Sequence, residues 1–186
     1  MSELLRSMVL CTPVLDQILE NTKNDLGRDF TAYRNHCYRV LNFCLALGDA
    51  EHDDEILQKV SIAVAFHDLG IWTDKTFDYL EPSKKLVQNY LEKNNLSGWK
   101  AEIRMMIEFH HKMTPYTGLP NWLVEPFRKA DWIDVSLGWL KFGLSDDFVT
   151  EVRGTFPNAG FHKRLTELTW QQFKQTPRRP LPMMRW

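Results

Sequence analysis

A stripe of apolar residues that leads into an adjacent histidine–aspartate pair is the feature that most constrains how this chain folds. Its members recur at helical spacing and share one helix face: Ile56, Val60, Ala63, Val64 and His67. His67 therefore occupies a position where a core residue is expected, and Asp68 follows it directly. A carboxylate in an apolar interior requires a cation or a proton, because an unpaired buried charge is costly. We therefore expect further polar side chains to converge on this pair.

Two other predicted helices also place a histidine on an apolar face. His36 shares its face with Val40, Phe43, Cys44 and Leu47, and His110 shares its face with Ile103, Met106 and Ile107. A single inward histidine is commonly a core residue bonded to a backbone carbonyl. Histidines from three helices, with an aspartate beside one of them, instead favour a site for a divalent metal, because imidazole nitrogen and carboxylate oxygen are both suitable ligands.

Length and charge limit the class of protein. The chain has 186 residues, which is enough for one domain with a full core. The net charge of -1 predicts neither nucleic acid nor an anionic membrane as a partner. The start of the chain does not have the pattern of a signal peptide, so we expect a cytoplasmic protein. Cys11, Cys37 and Cys44 have no disulfide or zinc-finger spacing, and we expect all three to be reduced core thiols.

The pattern of apolar residues predicts an all-α fold, because no stretch shows sustained strand alternation. Segments 24–28 and 71–80 are expected to be loops, and Thr12, Asp29, Ser97, Ser145 and Asn158 are expected to cap helices. The predicted domain covers residues 1–175, and a Pro/Arg-rich tail follows at 176–186. Helices are predicted at about 13–21, 30–48, from Asp53 or Asp54 to Gly70, 82–91, 98–112, from near Pro126 to Leu140, 146–153 and 160–174.

The order of the polar residues resembles the HD-domain superfamily of metal-dependent phosphohydrolases. The members of the pattern are His36, the doublet His67–Asp68, and Asp131 in the stretch Lys-Ala-Asp-Trp-Ile-Asp. The resemblance extends from about Thr31 to Trp139. It implies a single-domain, HD-type helical bundle in which these four residues bind a divalent metal ion. Two nitrogen and two oxygen ligands suit Mn, Fe, Co, Ni, Mg or Zn and do not distinguish among these ions.

This resemblance also implies a reaction, which is the hydrolysis of a small phosphate ester, or of a nucleotide, by metal-activated water. Two alternatives use the same scaffold. One is an enzyme of different chemistry, either a di-iron oxygenase or a hydratase/lyase, since Thr76-Phe77-Asp78-Tyr79 is similar to a stretch of the latter group. The other is a binding protein that retains the ligands without turnover.

The adjacent histidines His110 and His111 are the remaining candidates for chemistry. Followed by Gly118 and Pro120, they are similar to a stretch of the HD-GYP branch that serves additional metal ions. The resemblance implies either a ligand for a second ion or an acid that protonates the leaving oxygen. Asp68, His110 and His111 are therefore the expected catalytic residues.

Other polar residues receive supporting roles. Asp134 is an alternative to Asp131 as a ligand, and the one that does not bind metal would orient a ligand histidine or a water. Lys75 and Arg34 are the cations expected to bind the phosphate group of a small-molecule substrate. The tail is expected to pack through Trp186 or its methionines, either on the domain itself or on the second subunit of a homodimer.

Overall fold

The protein, seen in a computed structural model, is described over residues 8–48 and 54–184. Within these ranges it forms helices and no strand, which confirms the prediction of a single all-α bundle. Asp53 and Trp186 lie outside the described residues. Short 3-10 helices cover Gly27–Asp29 and Ser97–Trp99. The α-helices are α1 (Pro13–Asn21), α2 (Lys23–Leu26), α3 (Phe30–Leu47), α4 (Asp54–Phe66), α5 (Gly70–Thr73), α6 (Leu80–Lys93), α7 (Lys100–Phe109), α8 (Asn121–Val135), α9 (Asp146–Thr155) and α10 (Phe161–Gln175).

Four of these helices enclose the interior in which the candidate site lies. Helix α3 packs on α8 and on α4, and α7 packs on both α4 and α8, so the four close into a bundle. Helix α3 is the most deeply buried of them, since all its residues from Ala32 to Leu45 are buried except Arg34. Side chains on the core faces of α3, α4, α7 and α8 therefore point towards one common interior.

Several helix ends match the cap residues expected from the sequence. The Thr12 side chain accepts a hydrogen bond from the Leu15 backbone N–H, and the Ser145 side chain accepts one from Phe148. Asp29 differs, because its carboxylate accepts a bond from the Trp72 indole and does not cap α3. Ser97 makes no side-chain cap either, because it begins a 3-10 helix.

The region after the His-Asp pair differs from the prediction. Helix α4 ends at Phe66. Helix α5 begins at Gly70 and extends to Thr73, into the segment 71–80 that was expected to be a loop. A Cβ atom on Gly70 would lie 2.8 Å from the Tyr79 carbonyl oxygen and 2.8 Å from Pro82 Cβ. Glycine is therefore needed here for the close approach of α5 to the start of α6, and not as the end of a helix.

Three further boundaries also differ from the prediction. The segment 24–28 forms most of α2 and the start of a 3-10 helix, where a loop was expected. Helix α7 ends at Phe109, so His110 and His111 follow the helix and do not lie within it. Helix α8 begins at Asn121 and ends at Val135, which places Pro126 inside the helix.

The cysteines and the tail complete the fold. Cys37 and Cys44 are buried free thiols, as expected, but Cys11 is exposed, so its assignment to the core was wrong. It lies just before α1, outside the helical packing. After α10 the tail returns to the domain, where Met183 is buried and Met184 packs against the core. Among the helices of the described ranges, none has the length and apolarity needed to cross a membrane.

Candidate metal centre

The four helices of the bundle bring together the side chains that the sequence pattern selected as ligands and catalytic residues. Five of them are almost completely buried, and His111 faces a cavity with its side chain 14% exposed. This buried cluster, called the centre below, consists of His36 on α3, His67 and Asp68 directly after α4, His110 and His111 directly after α7, and Asp131 on α8.

One half of the centre is formed by His36, His67, Asp68 and Asp131. The Nε2 atoms of the two histidines are 2.9 Å apart. The Asp68 Oδ2 atom lies 3.6 Å from Nε2 of His36 and 3.4 Å from Nε2 of His67. The Asp131 Oδ1 atom lies 3.8 Å and 3.9 Å from the same two nitrogens. The ligand atoms of His36, His67 and Asp68 thus lie within 4.8 Å of one another, and an Asp131 oxygen faces the two imidazole nitrogens from slightly farther away.

The hydrogen bonds of the opposite ring nitrogens determine what the two Nε2 atoms can bind. Nδ1 of His67 lies 2.8 Å from the Val64 carbonyl oxygen, which can only accept, so Nδ1 carries the proton and Nε2 has a free lone pair. Nδ1 of His36 lies 2.7 Å from the Asp134 carboxylate and donates to it. The two Nε2 atoms therefore need either a proton between them or a cation that both can bind.

Other acceptors in the centre have no donor at all. The Asp68 Oδ1 atom, His110 Nε2 and both carboxylate oxygens of Asp131 are buried without a hydrogen-bond partner in the described chain. Nδ1 of His110 donates to the Ile107 carbonyl oxygen at 2.7 Å, so Nε2 of the neutral His110 ring is also an acceptor. Buried acceptors without partners are rare and cost about 1–3 kcal/mol each. A divalent cation satisfies them together, so these residues fit a metal ion.

Asp68 connects this half of the centre with a second group. Its Oδ1 atom lies 3.3 Å from His110 Nε2, while its Oδ2 atom faces His36 and His67. Asp68, His110 and His111 form a second set whose ligand atoms lie within 4.8 Å of one another, as do those of His36, His67 and Asp68. The described residues therefore include two sets that could hold a metal ion, and Asp68 belongs to both.

Burial and neighbouring charges shift the pKa values of the ligands. Burial lowers the pKa of His36, but hydrogen bonds and charge from Asp134 and Asp68 outweigh this effect and raise the pKa to about 9. Burial lowers the pKa of His67 to about 3, which keeps the ring neutral and able to bind metal. Burial also raises the pKa of Asp131 to about 7. Without a metal, His36 is therefore protonated at neutral pH, and Asp131 binds a second proton near pH 7.

Asp134 lies beside the centre and orients one ligand. Its carboxylate accepts from His36 Nδ1 and from the buried guanidinium of Arg39, whose Nη2 lies 2.8 Å from Oδ2. Burial raises the pKa of Asp134, but the bonds from His36 and Arg39 outweigh this and keep it below its usual range. Of the two aspartates weighed from the sequence, Asp131 thus faces the other candidate ligands and Asp134 orients His36.

Two residues at the site were missed by the sequence reasoning. Arg39 donates to the Asp134 carboxylate, and its sequence signal is a charged residue one helical turn after His36. Tyr79 lies 2.6 Å, through its hydroxyl, from His111 Nε2. Burial raises the pKa of the Tyr79 phenol well above its ordinary value, so at neutral pH the hydroxyl is protonated. It can donate to His111 Nε2 or accept from it, according to the tautomer of His111.

The structure does not bring Arg34 and Lys75 to the centre. The Arg34 guanidinium pairs with Asp16 at 3.1 Å and lies over the Tyr38 ring. Lys75 is exposed and lines a different cavity, of about 510 Å³, together with Trp72. Neither cation lines the cavity that reaches the candidate ligands.

That cavity, called the substrate cavity below, has a volume of about 270 Å³. Its polar floor consists of Asp68, His111 and Asp131. No lysine or arginine occurs among the lining residues in the described part of the chain. The walls are mainly apolar and are formed by Phe77, Tyr79, Trp132, Val135, Leu165, Thr169, Leu181, Met183 and Met184.

Comparisons of the chain with protein-family models, with curated proteins and with solved structures give no match. The HD-domain superfamily is thus a resemblance carried by the order of His36, His67–Asp68 and Asp131.

Proposed function

We propose that the protein is a metal-dependent phosphohydrolase that acts on a small phosphate ester. The observation that carries this proposal is the convergence of buried nitrogen and oxygen acceptors that have no donor. Such an arrangement is costly in a protein that binds no cation. The substrate cavity ends at the same atoms, so a molecule inside it would reach Asp68, His111 and Asp131 directly.

The donor set indicates what an ion would contribute. His36, His67, Asp68 and Asp131 would hold a first divalent ion, and Asp68, His110 and His111 would hold a second. Mixed nitrogen and oxygen ligands suit Mn, Fe, Co, Ni, Mg or Zn. Bound in such a site, a divalent ion lowers the pKa of coordinated water and polarises a phosphoryl oxygen, which is the chemistry that ester hydrolysis requires.

The two adjacent histidines differ in what they can reach. His110 is completely buried and points its Nε2 atom at Asp68, so in this proposal it serves as a ligand. His111 lines the substrate cavity and shares a hydrogen bond with the Tyr79 hydroxyl. It is therefore proposed either as a ligand of the second ion or, with Tyr79, as the source of the proton for the leaving oxygen. The metal content of His111→Gln separates the two roles, because only a ligand change removes an ion.

The proposal is tested with metal analysis and a panel of phosphate esters. We expect the purified protein to retain a divalent metal and to release inorganic phosphate from small monoesters. Asp131→Asn keeps the size of a ligand and removes its charge, so it should lose both metal and activity. Asp147→Asn is the matched control, because Asp147 is exposed and distant in sequence from every ligand. Metal-loaded protein that releases no phosphate from any ester would refute the proposal.

A second candidate is the di-iron oxygenase that shares the expected scaffold. The specific observation in its favour is the substrate cavity, whose described lining has apolar walls and no basic residue to bind a phosphate. Two sets of ligands bridged by Asp68 would equally suit a pair of iron ions. Two iron ions per chain, oxygen consumption with an apolar substrate and no release of phosphate would support this alternative.

A further inference from the structure

The substrate cavity combines a charged floor with apolar walls. The floor is formed by Asp68, His111 and Asp131, which belong to the centre. Part of the wall comes from a segment far along the chain, the tail residues Leu181, Met183 and Met184. Met183 is buried, whereas Leu181 remains 42% exposed at the edge of the cavity. The tail therefore forms a surface that a molecule bound at the centre would touch.

Basic side chains of the helix that carries Asp131 are engaged elsewhere. Arg128 pairs with Glu125, with Nη2 and Oε1 2.7 Å apart, and Lys129 lies 3.8 Å from the same carboxylate. Arg128 also donates to the Lys112 carbonyl oxygen. The negative charge of a substrate must therefore be neutralised mainly by the centre itself.

The charge that the centre can neutralise is limited. Two divalent ions held by the centre would exceed the combined charge of Asp68 and Asp131 by about two positive charges, which would match the dianion of a phosphate monoester. Each additional phosphate group would place charge against the apolar walls, where an unpaired anion is costly. The cavity volume of about 270 Å³ also lies below the range of roughly 300–1,000 Å³ that is usual for small-molecule sites.

From these observations we infer that the substrate is a small phosphate monoester with an apolar alcohol part, and that the tail segment Leu181–Met184 contacts this part. The inference rests on the proposed phosphohydrolase function and narrows it. In the reaction, the oxygen of water forms a bond to phosphorus and the bond from phosphorus to the alcohol oxygen breaks. The proton passes to the alcohol oxygen, so the products are an apolar alcohol and inorganic phosphate.

Binding is tested on the full-length, manganese-loaded protein with phosphonates, which cannot be hydrolysed at the phosphorus–carbon bond. Calorimetry should show phenylphosphonate binding more tightly than methylphosphonate, on the order of 100-fold, because the ring is buried against the apolar walls. Leu181→Ala should weaken phenylphosphonate binding about fivefold and leave methylphosphonate unchanged. Leu140→Ala is the matched control, because Leu140 is 43% exposed, as Leu181 is at 42%, and does not line the substrate cavity. It should change neither affinity.

Turnover provides the second measurement. Phenyl phosphate should be hydrolysed with a higher kcat/KM than either methyl phosphate or a nucleoside triphosphate. Equal affinity for the two phosphonates, or preference for the triphosphate, would overturn the inference while leaving a phosphohydrolase. Absence of phosphate release from all three esters would instead refute the function on which it rests.

Arg185 lies outside the described residues. Loss of methylphosphonate binding in Arg185→Ala would overturn the inference by assigning charge neutralisation to the tail.

Discussion

His36 and His67 face each other through their Nε2 atoms, which are 2.9 Å apart. Both rings lie in the interior of the helical bundle and are inaccessible to solvent. The opposite nitrogen of each ring, Nδ1, donates a hydrogen bond. His36 donates to the Asp134 carboxylate and His67 to the Val64 carbonyl oxygen. The rings therefore cannot turn to avoid the contact without breaking a buried hydrogen bond. A proton relieves the contact in the metal-free protein, and a cation bound by both rings would relieve it in the same way.

Metal affinity should consequently increase with pH. The pKa of His36 is raised to about 9 and that of Asp131 to about 7, so both groups hold protons that a metal must displace. Between pH 7 and 9 one proton is displaced, and affinity should rise about tenfold per pH unit. Below pH 7 the second proton makes the dependence steeper. Calorimetric titration of Mn²⁺ in two buffers of different ionisation enthalpy measures the protons released, and an affinity independent of pH would contradict this prediction.

Asp134→Asn should weaken metal binding although Asp134 is not itself a ligand. The neutral amide no longer fixes the proton on His36 Nδ1, and loss of such a supporting group typically costs about 10- to 100-fold in metal affinity. The variant also leaves Arg39 without its carboxylate partner, so a loss of stability of about 3–5 kcal/mol is expected. Metal titration under conditions where circular dichroism shows a folded protein separates the two effects. Unchanged affinity in the folded variant would remove the orienting role of Asp134.

Tyr79→Phe should lower kcat by at least about tenfold and leave metal content unchanged. The substitution removes the hydroxyl that lies 2.6 Å from His111 Nε2 and keeps the buried ring. The pH profile of kcat should also shift, since His111 Nε2 loses its hydrogen-bond partner. Tyr90→Phe is the control, because the Tyr90 ring packs against Phe66 and does not line the substrate cavity. A variant with wild-type kcat and an unchanged pH profile would exclude a role for Tyr79 in proton transfer.

Gly70→Ala should destabilise the protein by about 1–3 kcal/mol, because the added Cβ would overlap backbone and side-chain atoms 2.8 Å away in Tyr79 and Pro82. Gly98→Ala is a matched change, since a Cβ there meets no atom within 4 Å, and it should stay within about 0.5 kcal/mol of wild type. Urea unfolding monitored by tryptophan fluorescence gives both values. Equal stability of the two variants would show that α5 and α6 separate without cost.

Much of the fold followed from spacing along the chain. The apolar stripes predict an all-α protein, and the structure confirms it, because helical periodicity alone determines which residues share a face. The same periodicity places His36, His67 and His110 on core faces, and all three are buried together in the structure. Boundaries were less accurate, as at Gly70, because the contact that requires glycine there comes from α6 and leaves no local signal.

The sequence by itself determined the helical class and which histidines point inward, since both depend on residues within one helix. Only the tertiary structure decided that Arg39 holds Asp134 and that the hydroxyl of Tyr79 meets His111. It also decided that Lys75 lines a different cavity, and that the tail residues Leu181, Met183 and Met184 line the substrate cavity. These relationships join residues from separate elements, and their distances are set by how the helices pack, which no spacing within a single helix encodes.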